Sequence, residues 1–170
     1  MAVAERRNSA TTPSRPAMER VSDTELLWRH TFKAPADIVF EAWTRPEYVR
    51  RWWAPRSRGV EMVQCEADVR VGGAYVYALA REGALVATFS GTYIEIVRPT
   101  RLVYTSLLAP FPDAVMVTVS FEERDGLTYL ESREAYPSKE VLEGAIASGM
   151  ESGALETMEN LADLVVTLRA

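Results

Sequence analysis

Cys65 and His30 are the only thiol and the only imidazole in a chain of 170 residues. They lie far apart in sequence, and no second cysteine is present to resolve an oxidised thiol. Cys65 sits in an alternating apolar-polar run and is expected as a buried or half-buried strand residue. One histidine and one cysteine argue against a dedicated transition-metal site, so no metal and no cofactor are expected. A Ser-His-Asp triad would have to recruit His30, yet no serine stands in a G-x-S-x-G turn. His30 is expected to face out from, or pack into, an N-terminal strand. No catalytic residue is assigned.

The charged candidates are equally plain. Asp68 and Arg70 in "DVRVGG" stand two apart on one face of an expected strand. They would neutralise each other rather than tune a proton transfer, which makes them a surface ion pair beside a tight turn. Glu131, Arg133 and Glu134 are read as solvent-side or rim charges. No carboxylate pair has a spacing that argues hydrolysis, and "VGGAY" lacks the lysine of a phosphate-binding loop.

The distinctive residues are aromatic. Trp52 and Trp53 stand side by side in "EYVRRWWAP" (47–55). Each tryptophan buries roughly 150–250 Å², and neighbours on a helix or strand do not share a face. Tyr75 and Tyr77 do share one. With Phe89, Tyr93 and Tyr104 they make the middle of the chain rich in rings.

Several elements must position these residues. "ELLWRHTFKAP" (25–35) alternates and predicts a strand ended by Ala34-Pro35. Pro35 and Asp37 suit a helix start, and Val39, Phe40 and Trp43 form its apolar stripe. Thr44 is a candidate cap for a second short helix near Pro46, on which Glu47 and Arg51 are four apart. From Val60 the period drops to two. Strands are predicted over 60–73, stopping at Gly72-Gly73, then over 74–80, 84–97, 101–109, 114–123 and 127–136, as an antiparallel meander. Gly91 marks a bulge or a close approach. The last segment, 138–169, predicts one amphipathic helix roughly 45 Å long, capped by Ser138 and carrying Gly149 and Gly153. These two glycines mean either close approach to a strand or missing volume that opens a cavity.

The composition fits one soluble domain, with 48% hydrophobic and 25% charged residues. Net charge is −5 and the pI is near 5.1, which disfavours nucleic acid and anionic membrane as general partners. No apolar stretch is long enough for a membrane span. Residues 1–22 are expected as a flexible tail without a secretory pattern and 23–170 as a single domain in the cytoplasm.

Strand, two short helices, meander and long C-terminal helix form the order of a helix-grip fold. The stretches "VFEAWTRPEYVRRWWAP", "DVRVGGAY", "GTYIEIVRPTRLVYT", "VTVSFEE" and "GMESGALETMENLADLV" resemble the activator-of-heat-shock-protein-90-ATPase-like branch of the START/SRPBCC superfamily. Where relatives often carry a tryptophan after "GMESG", this chain has Ala154. The resemblance implies an α+β fold in which a curved antiparallel sheet of six to seven strands wraps the long helix around a deep, mainly apolar cavity. Members bind lipids, sterols, polyketides or hormones, and some are cyclases, aromatases or hydrolases. On this fold one tryptophan of the pair should plug the core and the other line the cavity mouth, with the flanking arginines on the rim.

The expected function is therefore binding of a small hydrophobic or amphipathic ligand in that cavity. Trp52, Trp53, Tyr75, Tyr77, Phe89, Tyr104, Met150 and Gly153 are its candidate ligand-binding residues. An interior packed solid with side chains would contradict it. A cyclase- or aromatase-type enzyme is the alternative and would need a polar group of shifted pKa inside; the tyrosines qualify, and no buried histidine is expected. A chaperone-binding regulatory module is the other alternative. Heat-shock protein 90 enters as a partner only through the family's name, and homodimerisation is left open.

Overall fold

The computed structural model describes residues 15–169. The first fourteen residues of the expected tail lie outside them. Eight strands form one antiparallel sheet in the order β1-β2-β8-β7-β6-β5-β4-β3. They are β1 (Ala17–Arg20), β2 (Glu25–Phe32), β3 (Val60–Ala67), β4 (Ala74–Arg81), β5 (Ala84–Val97), β6 (Arg101–Ala109), β7 (Val115–Arg124) and β8 (Leu127–Ala135). Helices α1 (Ala36–Thr44) and α2 (Pro46–Val49) follow β2, and α3 (Lys139–Ala147) and α4 (Met150–Leu168) close the chain. This is the α+β helix-grip architecture with more strands than expected. The addition is β1, within the segment read as tail. It pairs with β2 from Ala17↔Arg29 to Arg20↔Leu26, so backbone pairing orders a stretch whose side chains do not alternate.

The meander forms because each strand presents an apolar row to one side. Leu26, Trp28, His30 and Phe32 of β2 lie opposite Glu134, Ser132, Leu130 and Thr128 of β8, and Phe121, Val119 and Val117 of β7 continue the inner face. Met158, Leu161, Leu164 and Val165 of α4 pack on that face with Phe40 and Trp43 of α1. Fully burying each such side chain contributes about 1.5–3 kcal/mol.

Four local expectations are corrected. The C-terminal segment is two helices, because Gly149 adopts φ +77° and ends the first run; the left-handed conformation suits glycine and interrupts an α-helix. The Ser138 cap is present, with its Oγ accepting from the Val141 N–H. β3 stops at Ala67, and 68–73 is a turn in which the Gly73 N–H donates to the Arg70 carbonyl at 2.8 Å. Thr44 does not cap α2. Its hydroxyl donates to the Phe40 carbonyl at 2.8 Å, while Glu47 pairs with Arg45 at 2.9 Å rather than with Arg51.

Candidate functional site

The inner face of β3–β6 carries Cys65, Tyr75, Tyr77, Tyr93 and Tyr104. Registers Cys65↔Tyr77, Tyr77↔Phe89 and Tyr75↔Gly91 and Tyr93↔Tyr104 hold them in adjacent rows. Tyr75, Tyr77, Tyr93 and Tyr104 are only 3%, 4%, 3% and 6% exposed. Tyr75 is the hub, with ring centroids 4.9 Å from Tyr77, 5.7 Å from Tyr93 and 5.6 Å from Tyr104. Its hydroxyl donates to the Thr105 carbonyl at 2.7 Å. Gly91 makes the hub possible. A Cβ there would fall 1.8 Å from the Thr105 carbonyl oxygen and 2.8 Å from Tyr75 Cε1. The position is a close approach. The β5–β6 register shifts only later, between Tyr93 and Glu95.

A cavity remains among Trp43, Trp53, Tyr75, Tyr77, Tyr93, Leu102 and Tyr104. Its free volume is about 10 Å³, room for one water. The deep cavity implied by the resemblance is thus largely filled by the chain's own rings. Burial raises the pKa of all four tyrosines, so their hydroxyls stay protonated and act as donors or acceptors without charge. Burial likewise pushes the Cys65 thiol up to about 11, against a smaller opposing pull from Arg50. Such a thiol is a poor nucleophile at neutral pH.

The two tryptophans divide as their geometry demands. Trp52 is 2% exposed, its indole N–H donates to the Ala42 carbonyl at 2.8 Å, and its ring lies 5.1 Å from Trp43. It is core. Trp53 is half-buried and lies 5.1 Å from Tyr77 and 6.0 Å from Phe89, so it covers the cavity. The chain then turns through Arg56–Arg58, where Ser57 donates through its N–H and hydroxyl to the Glu156 carboxylate and Arg58 donates to the Ser152 hydroxyl. Gly153 belongs to this contact. A Cβ there would lie 3.5 Å from the Arg58 guanidinium, an ordinary contact, so the position faces Arg58, neither opening the cavity nor meeting a strand.

Of the candidate residues, the structure brings together Trp53, Tyr75, Tyr77 and Tyr104, with Phe89 at their edge. Trp52, Met150 and Gly153 lie outside the cavity lining. Met150 packs instead with Leu26, Trp28 and Leu142. The lining also contains Trp43, read as plain core from the sequence. Asp68 and Arg70 form an exposed ion pair at 2.7 Å.

Two polar groups lie on the inner face, Glu134, which the sequence reading missed, and His30, which it left open between facing out and packing in. Glu134, read as a rim charge, faces inward between Leu26 and Val117. Its carboxylate accepts from the Tyr136 hydroxyl at 2.8 Å, and burial raises its pKa. A carboxyl that holds its proton more tightly when folded costs the fold nothing below the ordinary carboxylate range. It destabilises increasingly as pH rises through the raised value. His30 is also buried, packs 4.7 Å from Phe32, and has its pKa lowered by that burial. The signal for both was available in the period of two. Counting forward from Leu130 puts Ser132 and Glu134 on its face, and counting back from Phe32 puts His30 on that of the core.

The sequence model of the family described as Activator of Hsp90 ATPase homolog 1-like protein matches residues 33–166. The chain belongs to this family. No curated protein matches. Among solved structures similar to this Hsp90-activator-homologue-like chain is one from Rhodobacter sphaeroides, with 24% identity, TM-score 0.81, and coverage of 91% of this chain and 99% of the other. A protein from Mycobacterium smegmatis has 20% identity, TM-score 0.77, and coverage of 87% and 94%. A protein from Nitrosomonas europaea has 18% identity, TM-score 0.76, and coverage of 87% and 97%. At these identities the likenesses establish the helix-grip fold of the family and nothing finer. Among the described residues of this family member, no helix is long and apolar enough to cross a membrane. No group of three or more His, Cys, Asp or Glu among them is placed to hold a metal ion.

Proposed function

We propose that this protein binds a small hydrophobic or amphipathic molecule between the sheet and α1, and that Trp53 moves aside to admit it. The observation that carries this reading is the set of four buried tyrosines around one void. Packing alone does not call for four hydroxyls in an apolar interior, where each must find a partner. Of the four, Tyr75 has a backbone acceptor; Tyr77 and Tyr93 face one another. A mainly apolar pocket with a few convergent polar groups is the usual form of a ligand site.

The void as it stands admits one water, so the ligand must displace side chains. Trp53 is the movable one. It is half-buried, it has no hydrogen bond like that of Trp52, and the segment after it is held to α4 by exposed polar contacts. Contacts of that kind contribute about 0–1 kcal/mol each, so opening costs little beside the apolar area a ligand would bury.

Native mass spectrometry of the purified protein, followed by tryptophan-quench titration with fatty acids, sterols and aromatic polyketides, tests the reading. The expected result is saturable quenching by at least one class, lost in Trp53→Phe. Absence of both an adduct and quenching across the panel would make the tyrosine cluster a plain core.

A further inference from the structure

Glu134 is a half-buried carboxylate on the inner face of the sheet, and among the described residues no Lys or Arg forms a salt bridge with it. Arg133, its neighbour, turns the other way to Glu25 at 3.0 Å, and Glu131 pairs with Arg29 on the outer side at 3.3 Å. The groups that act on Glu134 are the Tyr136 hydroxyl and the Trp28 indole, both neutral. Among the described residues the Trp28 N–H has no other hydrogen-bond partner, so the carboxylate is met here by neutral donors alone. Across the sheet, Val117 separates Glu134 from Tyr104 on the same face, which places the carboxylate next to the tyrosine cluster. The Tyr136 hydroxyl also lies 3.9 Å from Met150 Sδ, and Met150 and Ala154, one flexible and one small, belong to the apolar cluster around Trp28.

A half-buried carboxylate met only by neutral donors leaves charge that a cation would compensate better. A cation arriving with a ligand would offset it through a charge-assisted hydrogen bond and through the faces of the surrounding rings. Resting on the interior site proposed above, we propose that the ligand is an amphipathic molecule bearing a protonated amine, held by the carboxylate of Glu134 beside Trp28, Tyr104 and Tyr136. Its apolar part then lies along the tyrosine cluster under Trp53.

Octylamine, octanol and octanoate differ only in the head group and serve as probes, titrated at neutral pH by intrinsic tryptophan fluorescence. In the unmodified protein octylamine should bind at least about tenfold more tightly than octanol, and octanoate more weakly than octanol. Glu134→Gln should bring octylamine to the affinity of octanol and leave octanol within about threefold. Octylamine binding no better than octanol, or a preference that survives in Glu134→Gln, overturns the proposal. If octanol binds and octylamine gains nothing, the amine reading alone falls; if none of the three binds, the interior site falls with it. The head-group comparison uses the unmodified chain, so it stands even if the variant does not fold.

Discussion

Gly91→Ala should destabilise the fold by more than about 4 kcal/mol, beyond what most single substitutions do, and should leave little folded protein at room temperature. The added methyl would stand 1.8 Å from the Thr105 carbonyl oxygen and 2.7 Å from its carbon. Both are backbone atoms of β6, which is paired with β5 from Thr88↔Ala109 to Val97↔Arg101. The backbone can yield only by parting those strands. The remaining conflict is with Tyr75 Cε1 at 2.8 Å, and that ring cannot swing freely while its hydroxyl is bonded to Thr105. Urea unfolding measures the loss, and the near-UV circular dichroism of the tyrosines should collapse with it. A change below about 1 kcal/mol, the size of an ordinary surface substitution, would show that Tyr75 does not owe its place to the bare backbone at Gly91.

Trp52→Ala should cost about 3–5 kcal/mol, the range for removing a large buried aromatic, while Trp53→Ala should cost only about 1–2 kcal/mol. The two side chains are adjacent, of one type, and 5.2 Å apart between ring centroids. What separates them is environment. Trp52 is enclosed by Trp43 and the helix α1, and its loss also strands the Ala42 carbonyl it bonds. Trp53 keeps one side to solvent. Ligand affinity should follow the opposite order, falling most in the Trp53 variant once both are compared as folded protein. Paired denaturation curves check the stability claim. Equal losses would mean that Trp53 is a second core plug and not a cover.

The sequence carried most of the fold because the sheet repeats one rule. Alternation from Val60 to Ala135 names six strands, and only their ends moved, as at Ala67, where the turn through Gly73 begins. β1 was hidden because an edge strand at Ala17–Arg20 is held by its neighbour's backbone rather than by its own pattern. The break at Gly149 was hidden because a glycine in an amphipathic run gives no sign of which handedness it will take. Within the site, shared faces were legible for Tyr75 and Tyr77. Cavity size was not, since it depends on how four tyrosine rings and Trp53 settle against each other. Glu134 was placed outside on its charge although the period of two put it in. Where charge and register disagree, the disagreement itself is the signal of a site.

The central claim, that an amphipathic molecule enters beneath Trp53, is tested most directly by nuclear magnetic resonance of the four indole N–H groups during titration with an alkyl amphiphile. The account predicts that the Trp53 signal shifts saturably while that of Trp52, held to Ala42, stays nearly fixed. Signals that all remain still, or a Trp53 signal that moves only in step with unfolding, would contradict it.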